Sequence, residues 1–346
     1  MNFSRLAFLL LFFILVLSHV KSADWDNVPF EQNYVSLWGQ QNMRLLDQNR
    51  EAQLTLDQNS GKTCIAIKLF NKKILTIVLI LGSGFQSIQS FGSGWFSMRI
   101  KLPPKDSTAV ITTFYVLFLI YQYYCDFIFA HKGPTRDEID FEFLGGNLNQ
   151  PPILHTNIYI NGQGGREQQF HFWFDPTADF HDYTLLLNEK HIVYVTNILI
   201  ILLSFFLPLV CYMKCFRFFV DGTPIRVFKN SKDKGGSYRT QAMKVYATIW
   251  THPWGSGGVP INWNDAPFEA HYRSFGINAC QAQSTNLQPC DSSMYWWNAQ
   301  KFWELNQVQK QAYNNIRNSS YFIYDYCTKQ PLSPEYQVEC QGLSID

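Results

Sequence analysis

The chain has 346 residues, room for one large domain or two small ones. Charged residues make up only 16% and the formal net charge is +1, so no basic excess exists to hold a phosphate backbone, which argues against nucleic acid as a partner. Aromatic residues are as frequent as charged ones, with 29 Phe, 18 Tyr and 10 Trp, a stock of flat rings that suits sheet faces and stacking on sugars.

The N-terminus opens with Arg5, an apolar run from Leu6 to Leu17, and small residues at Ser22 and Ala23. This pattern predicts a secretory signal peptide over 1–23, too short in its apolar part for a membrane anchor. It places the remainder in an oxidising compartment where cysteines pair. Short alternating runs follow, among them AQLTLDQ, GSGWFSMRIKL, ILHTNIYING, QQFHFWF, YTLLL and MKVYATIW, punctuated by Asn59-Ser60-Gly61, Pro103-Pro104 and the glycines from Gly162 to Gly165. FRFFVDGTPIRVFKN reads as a hairpin turning at Asp221-Gly222. Many short strands with regular turns predict an antiparallel, all-β sandwich.

Three apolar tracts interrupt that pattern: 62–81, 116–130 and 192–213. The third carries no charge and by length is a transmembrane candidate, although no tight basic cluster brackets it to support a topology. Each tract breaks a β pattern that reads smoothly once the tract is deleted.

Between the second and third tracts lies DEIDFEFLGG, from Asp137 to Gly146. As a strand it turns Glu138, Asp140 and Glu142 to one face and Ile139, Phe141 and Phe143 to the other. Three like charges side by side repel, and a merely solvated face would mix in Lys, Thr and Ser. Retaining cleavage of a glycosidic bond needs two carboxyl groups roughly 5–5.5 Å apart. The Cα atoms of Glu138 and Glu142 stand roughly 13 Å apart at a rise of about 3.3 Å per residue, a gap that two leaning Glu side chains largely close. Asp140 between them raises a neighbour's pKa through its charge. Spacing alone does not say which glutamate is the nucleophile.

Cys280, Cys290, Cys327 and Cys340 lie in a polar C-terminal region, whereas Cys64, Cys125 and Cys211 lie in the apolar tracts and Cys215 lies just past the third. The former four suggest two local disulfides; three connectivities are open, and the nearest-neighbour pairing, Cys280–Cys290 with Cys327–Cys340, closes the shortest loops. No His or Cys spacing resembles a zinc site, so no metal and no cofactor is expected. The stretch from Tyr295 to Tyr324 has few turn residues before Asn314 and predicts a helix with an aromatic face.

With DEIDFEFLG, WFDP…FHDY, DGTPIRVFKN and the four C-terminal cysteines together, the sequence resembles the plant xyloglucan endotransglucosylase/hydrolases of glycoside hydrolase family 16. The resemblance runs from Phe30 to Cys340 apart from the three tracts. It implies a concanavalin-like jelly-roll β-sandwich over 24–275, with apparent insertions at 62–81, 116–130 and 194–217. A short disulfide-bonded extension with a helix follows over 276–346. It implies that the tracts are retained introns carried into the translated sequence; their Ile, Leu, Phe, Tyr and Lys content fits AT-rich noncoding DNA.

The resemblance further implies a monomeric enzyme, secreted to cell wall and apoplast. It would cleave the β-1,4-glucan backbone of xyloglucan with retention and pass it to another xyloglucan chain, donor and acceptor chains being its partners. Glu138 becomes nucleophile, Glu142 acid/base and Asp140 helper. Glu142, His155, Thr156, Asn157, Gly165, Arg166, Glu167, Trp254 and Gly257 become substrate contacts, and Asn318, in the sequon Asn318-Ser319-Ser320, a glycosylation site. The pattern is broken at Arg136, where His is usual, at Leu187, where Trp is usual, and in the Cys327–Cys340 loop, which lacks a usual Arg. The alternatives are hydrolysis at the same site, an inactive or mis-spliced glucan-binding product, and a membrane protein anchored through Ile192 to Met213.

Overall fold

A computed structural model describes residues 27–60, 64–70, 73–80, 82–118, 136–147, 149–188, 215–283 and 285–341. The signal peptide expected over 1–23 therefore lies outside the described residues, as do Cys125, Cys211 and most of the second and third tracts.

Two antiparallel sheets face each other. The first runs in the order β1 (Tyr34–Trp38), β6 (Gly82–Ser87), β15 (Lys244–Thr251), β8 (Val110–Phe118), β9 (Asp137–Leu144), β10 (Ile153–Tyr159), β11 (Gln168–His171) and β18 (Phe322–Asp325). The second runs β14 (Thr223–Lys229), β13 (Cys215–Val220), β12 (His181–Asn188), β7 (Phe91–Lys101), β16 (Phe268–Arg273), β3 (Glu51–Leu56) and β2 (Met43–Leu46), with β17 (Asn278–Gln281) also paired to β7. This is the expected sandwich. Its core lies between the sheets, where period-two alternation delivers one side chain in two. On β9 the inward residues Ile139, Phe141 and Phe143 are buried. Phe141 meets Phe218 of β13 edge to face at 5.3 Å and stacks with Phe114 of β8 at 6.2 Å, contacts that hold the acid strand against the opposite sheet. The β13–β14 hairpin turns at Asp221-Gly222, both at positive φ, as expected from the sequence.

The first tract forms a hairpin of β4 (Cys64–Phe70) and β5 (Lys73–Ile80) that pairs with neither sandwich sheet. Its two ends meet: the Gly82 amide donates to the Ser60 carbonyl at 2.9 Å. The tract thus leaves and re-enters the sandwich at one point. The other two boundaries need correction. Val116, Leu117 and Phe118 are the end of β8, paired with Ile139, Glu138 and Asp137, and Val116 is core. At the far end of the third tract, Cys215, Phe216 and Arg217 belong to β13 and pair with Asn188, Leu187 and Leu186. Hydrophobic content alone does not separate a buried strand end from an insertion. Among the described residues no helix is long and apolar enough to cross a membrane; the candidate 192–213 lies outside them.

The C-terminal region carries both expected disulfides, Cys280–Cys290 and Cys327–Cys340. The long helix expected over 295–324 is shorter: α1 spans Gln307–Arg317, started by a capping box between Asn306 and Gln309. The aromatic residues before it turn back onto β7 instead, Trp297 donating its indole N–H to Ser93 at 3.0 Å and Trp296 lying 5.6 Å from Trp95. The residues after α1 leave it to become β18, which widens the first sheet. A last helix, α2, spans Pro334–Gln341.

Candidate active site

The outward face of the first sheet carries the site, and its register builds it row by row. Glu138 lies between Leu117 on β8 and Tyr159 on β10; Asp140 between Tyr115 and Asn157; Glu142 between Thr113 and His155. The Glu142 row continues on one side through Thr248 to Gly84 and Trp38, and on the other through Gln169 to Tyr324. A line of groove-facing residues thus crosses all eight strands. At its centre is a cavity of about 360 Å³, lined by the three acids, Arg136, Tyr115, Tyr159, His155, Asn157, Glu167, Trp250 and Trp254 among others.

The two glutamates differ in surroundings. Glu138 is nearly closed off, its side chain 8% exposed, and Arg136 binds its Oε2 through two guanidinium nitrogens. Burial raises the Glu138 pKa, the Arg136 charge opposes that rise, and the Glu142 charge adds to it. Asp140 is raised well above the usual carboxylate range, by burial first and then by the charges of Glu138 and Glu142, and a side-chain hydrogen bond joins it to Glu138. Burial, the two neighbouring charges and that hydrogen bond all push the Asp140 pKa in the same direction, and the Arg136 charge alone opposes them. Glu142 is more open, at 18%, and its Oε2 stands 2.8 Å from Nδ1 of His155. The environment thus breaks the symmetry that spacing leaves: one glutamate is sealed against a guanidinium, the other stands at the mouth beside an imidazole.

Of the residues expected to touch substrate, His155, Asn157, Glu167 and Trp254 line the cavity with Glu142. Trp254 is 42% exposed, and its ring lies 6.0 Å from that of His155 and 6.3 Å from that of Trp250. It rides on the turn Pro253–Ser256, which ends on Gly257 at φ 65. Gly257 and Gly165 lie outside the cavity wall, the latter also left-handed, at φ 84.

Thr156 and Arg166 do not face the groove. Thr156 points inward between two outward neighbours, as strand alternation demands, and its Oγ1 accepts from Arg226 at 2.8 Å. Arg166 is fully buried. Its guanidinium bonds Glu339 through Nε and Nη2, both at 2.8 Å, Glu335 at 2.6 Å and the Gln163 carbonyl at 2.7 Å. It ties the loop that presents Glu167 to α2 rather than touching a sugar. Tyr115 and Tyr159 were not anticipated. The signal was present, because Tyr159 follows His155 and Asn157 at period two. Asn318 is exposed at the end of α1. Among the described residues no cluster of His, Cys, Asp and Glu could hold a metal ion.

A family model for the glycosyl hydrolases of family 16 matches residues 30–201 and 213–265, its gap falling inside the third tract. The chain is 36% identical over 334 residues to xyloglucan endotransglucosylase/hydrolase protein 2 of Arabidopsis thaliana, covering 95% of this chain and 94% of that one. It is 35% identical to xyloglucan endotransglucosylase protein 2 of Diospyros kaki, covering 91% and 88%. To xyloglucan endotransglucosylase/hydrolase protein A of Phaseolus angularis it is 36% identical, covering 91% and 89%.

Proposed function

The chain belongs to the glycosyl hydrolases of family 16 and, within them, to the xyloglucan endotransglucosylase/hydrolases, and from that premise we propose how its groove acts on xyloglucan. The enzyme is a retaining xyloglucan transglycosylase. A donor chain lies across the strands along the row from Trp38 to Tyr324, with Trp254 and Trp250 offering apolar ring faces at the centre.

Glu138 attacks the anomeric carbon while Glu142 gives its proton to the departing O4, leaving a glycosyl ester on Glu138 and a new chain end. The 4-hydroxyl of an acceptor chain then gives its proton to the Glu142 carboxylate and attacks the same carbon. Glu138 departs as carboxylate, and two inversions make retention. The observation that carries this assignment is the asymmetry of the two glutamates. Glu138, gripped by Arg136 and hydrogen-bonded with Asp140, is held in one place, whereas Glu142 at the mouth can exchange a proton with a leaving or incoming hydroxyl.

The signal-like N-terminus and two disulfides support export to the wall, with Asn318 as a glycan acceptor. Glu138→Gln tests the assignment. It leaves the circular dichroism spectrum unchanged and abolishes both transfer to a labelled xyloglucan oligosaccharide and release of reducing ends. A folded Glu138→Gln enzyme of near-normal activity refutes it. Unchanged release of reducing ends on adding acceptor to the parent enzyme favours hydrolysis over transfer.

A further inference from the structure

Arg136 immediately precedes β9 and is buried, 8% exposed. Its Nε and Nη2 both reach Oε2 of Glu138, and the Tyr159 ring lies under the guanidinium, 4.3 Å from its carbon. The stacked ring holds the guanidinium plane while the fork holds the carboxylate. We propose that Arg136 is a positioning residue for Glu138 that holds back its attack and hastens its departure, and so decides which half of the reaction limits turnover. This rests on Glu138 being the nucleophile.

Attack on the anomeric carbon turns the Glu138 carboxylate into a neutral ester, and the ion pair with Arg136 is lost as that bond forms. Departure of the ester regenerates the carboxylate, and the ion pair returns as that bond breaks. A neighbouring cation favours the charged form of a carboxyl group, so Arg136 opposes the first step and assists the second. Both water and a sugar hydroxyl attack the same ester, so the ratio of transfer to hydrolysis is untouched.

The charge also opposes the rise that burial imposes on the Glu138 pKa. The groups facing Glu138 are Asp140 and Glu142 on its own strand, Tyr159 on β10, and Tyr115 and Tyr246 on β8 and β15. Of these and Arg136, only Arg136 is cationic.

The test uses Arg136→Gln and Arg136→Lys in the full chain, with pH profiles and rapid-quench mass spectrometry of the covalent intermediate during xyloglucan turnover. In Arg136→Gln the acid limb of kcat/KM moves up by about 1–3 pH units. The fraction of enzyme held as glycosyl ester rises, and the transfer-to-hydrolysis ratio stays constant. Arg136→Lys keeps the acid limb near its original pH but lowers kcat with KM little changed, because a single ammonium lacks the fork. An unmoved acid limb and an unchanged ester fraction in a folded Arg136→Gln enzyme overturn the proposal. If that variant does not fold, a parental kcat in Arg136→Lys overturns it. Glu138→Gln, run alongside, must be inactive; if it is active, the nucleophile assignment itself has failed rather than the role of Arg136.

Discussion

Replacing Arg166 with Met should undo the joint between the sandwich and α2. The guanidinium is fully buried, and one of its partners, Glu339, has a side chain only 1% exposed; the other, Glu335, is 24% exposed. Removing one partner of a buried pair costs about 3–5 kcal/mol, because the remaining charge loses its compensation. The disulfide from the next residue, Cys340, to Cys327 keeps Glu339 close to its buried position, so the remaining charge is not simply released to water. The pH dependence has a definite sign. Burial already raises the Glu339 pKa, and the Arg166 hydrogen bond and charge are what restrain it. Without Arg166 the folded-state pKa climbs further while the unfolded value stays put. Stability is then fully present below the unfolded pKa and is lost as pH rises through the folded one. Urea unfolding at pH 4 and pH 7 measures this: the deficit of Arg166→Met is larger at pH 7. The double variant Arg166→Met/Glu339→Leu removes both charges and recovers most of the loss. A deficit below about 1 kcal/mol at pH 7, the value of an ordinary surface pair, or no recovery in the double variant, refutes the reasoning.

Other outcomes follow from the same structure. Asp140→Asn removes a buried group whose folded-state pKa is raised well above the usual range. Its stability gain over the parent is therefore small near pH 4 and grows as pH rises, read from urea midpoints, while transfer activity falls. Deleting 62–81 leaves Gly61 to join Ser60 to Gly82, ends that already share a hydrogen bond; the shortened chain should be secreted and active, and failure to fold would make the β4–β5 hairpin part of the sandwich. Deleting 194–217 puts Val193 where the buried Arg217 now faces Leu186 and should raise secretion. A deletion beginning at Val116 should not be tolerated, whereas one beginning at residue 119 should, because Val116 and Leu117 pair with Ile139 and Glu138.

The strands and the acid face were legible because both rest on period two, which a sequence shows directly. The same rule marks Thr156 as inward between His155 and Asn157, and motif resemblance overrode it. Arg166 was misplaced for a different reason. Its partners, Glu335 and Glu339, lie some 170 positions away, and nothing local distinguishes an arginine that binds sugar from one that staples a helix. The tract boundaries were obscured because an apolar strand end and an apolar insertion have the same composition; only the register against β9 and β12 separates them. The inequality of Glu138 and Glu142 was invisible in a symmetric spacing and emerges from what stands beside each, Arg136 and His155.

Turnover through Glu138 passes through a glycosyl ester on its carboxylate, a species that can be trapped. A 2-fluoro xyloglucan oligosaccharide with an activated leaving group should trap that ester, because fluorine beside the anomeric carbon slows breakdown. Peptide mass spectrometry of the trapped enzyme should place one oligosaccharide on Glu138, with Arg136→Gln accumulating more adduct and Glu138→Gln none. An adduct on Glu142, or turnover of natural substrate by an enzyme in which Glu138 is never labelled, contradicts the account.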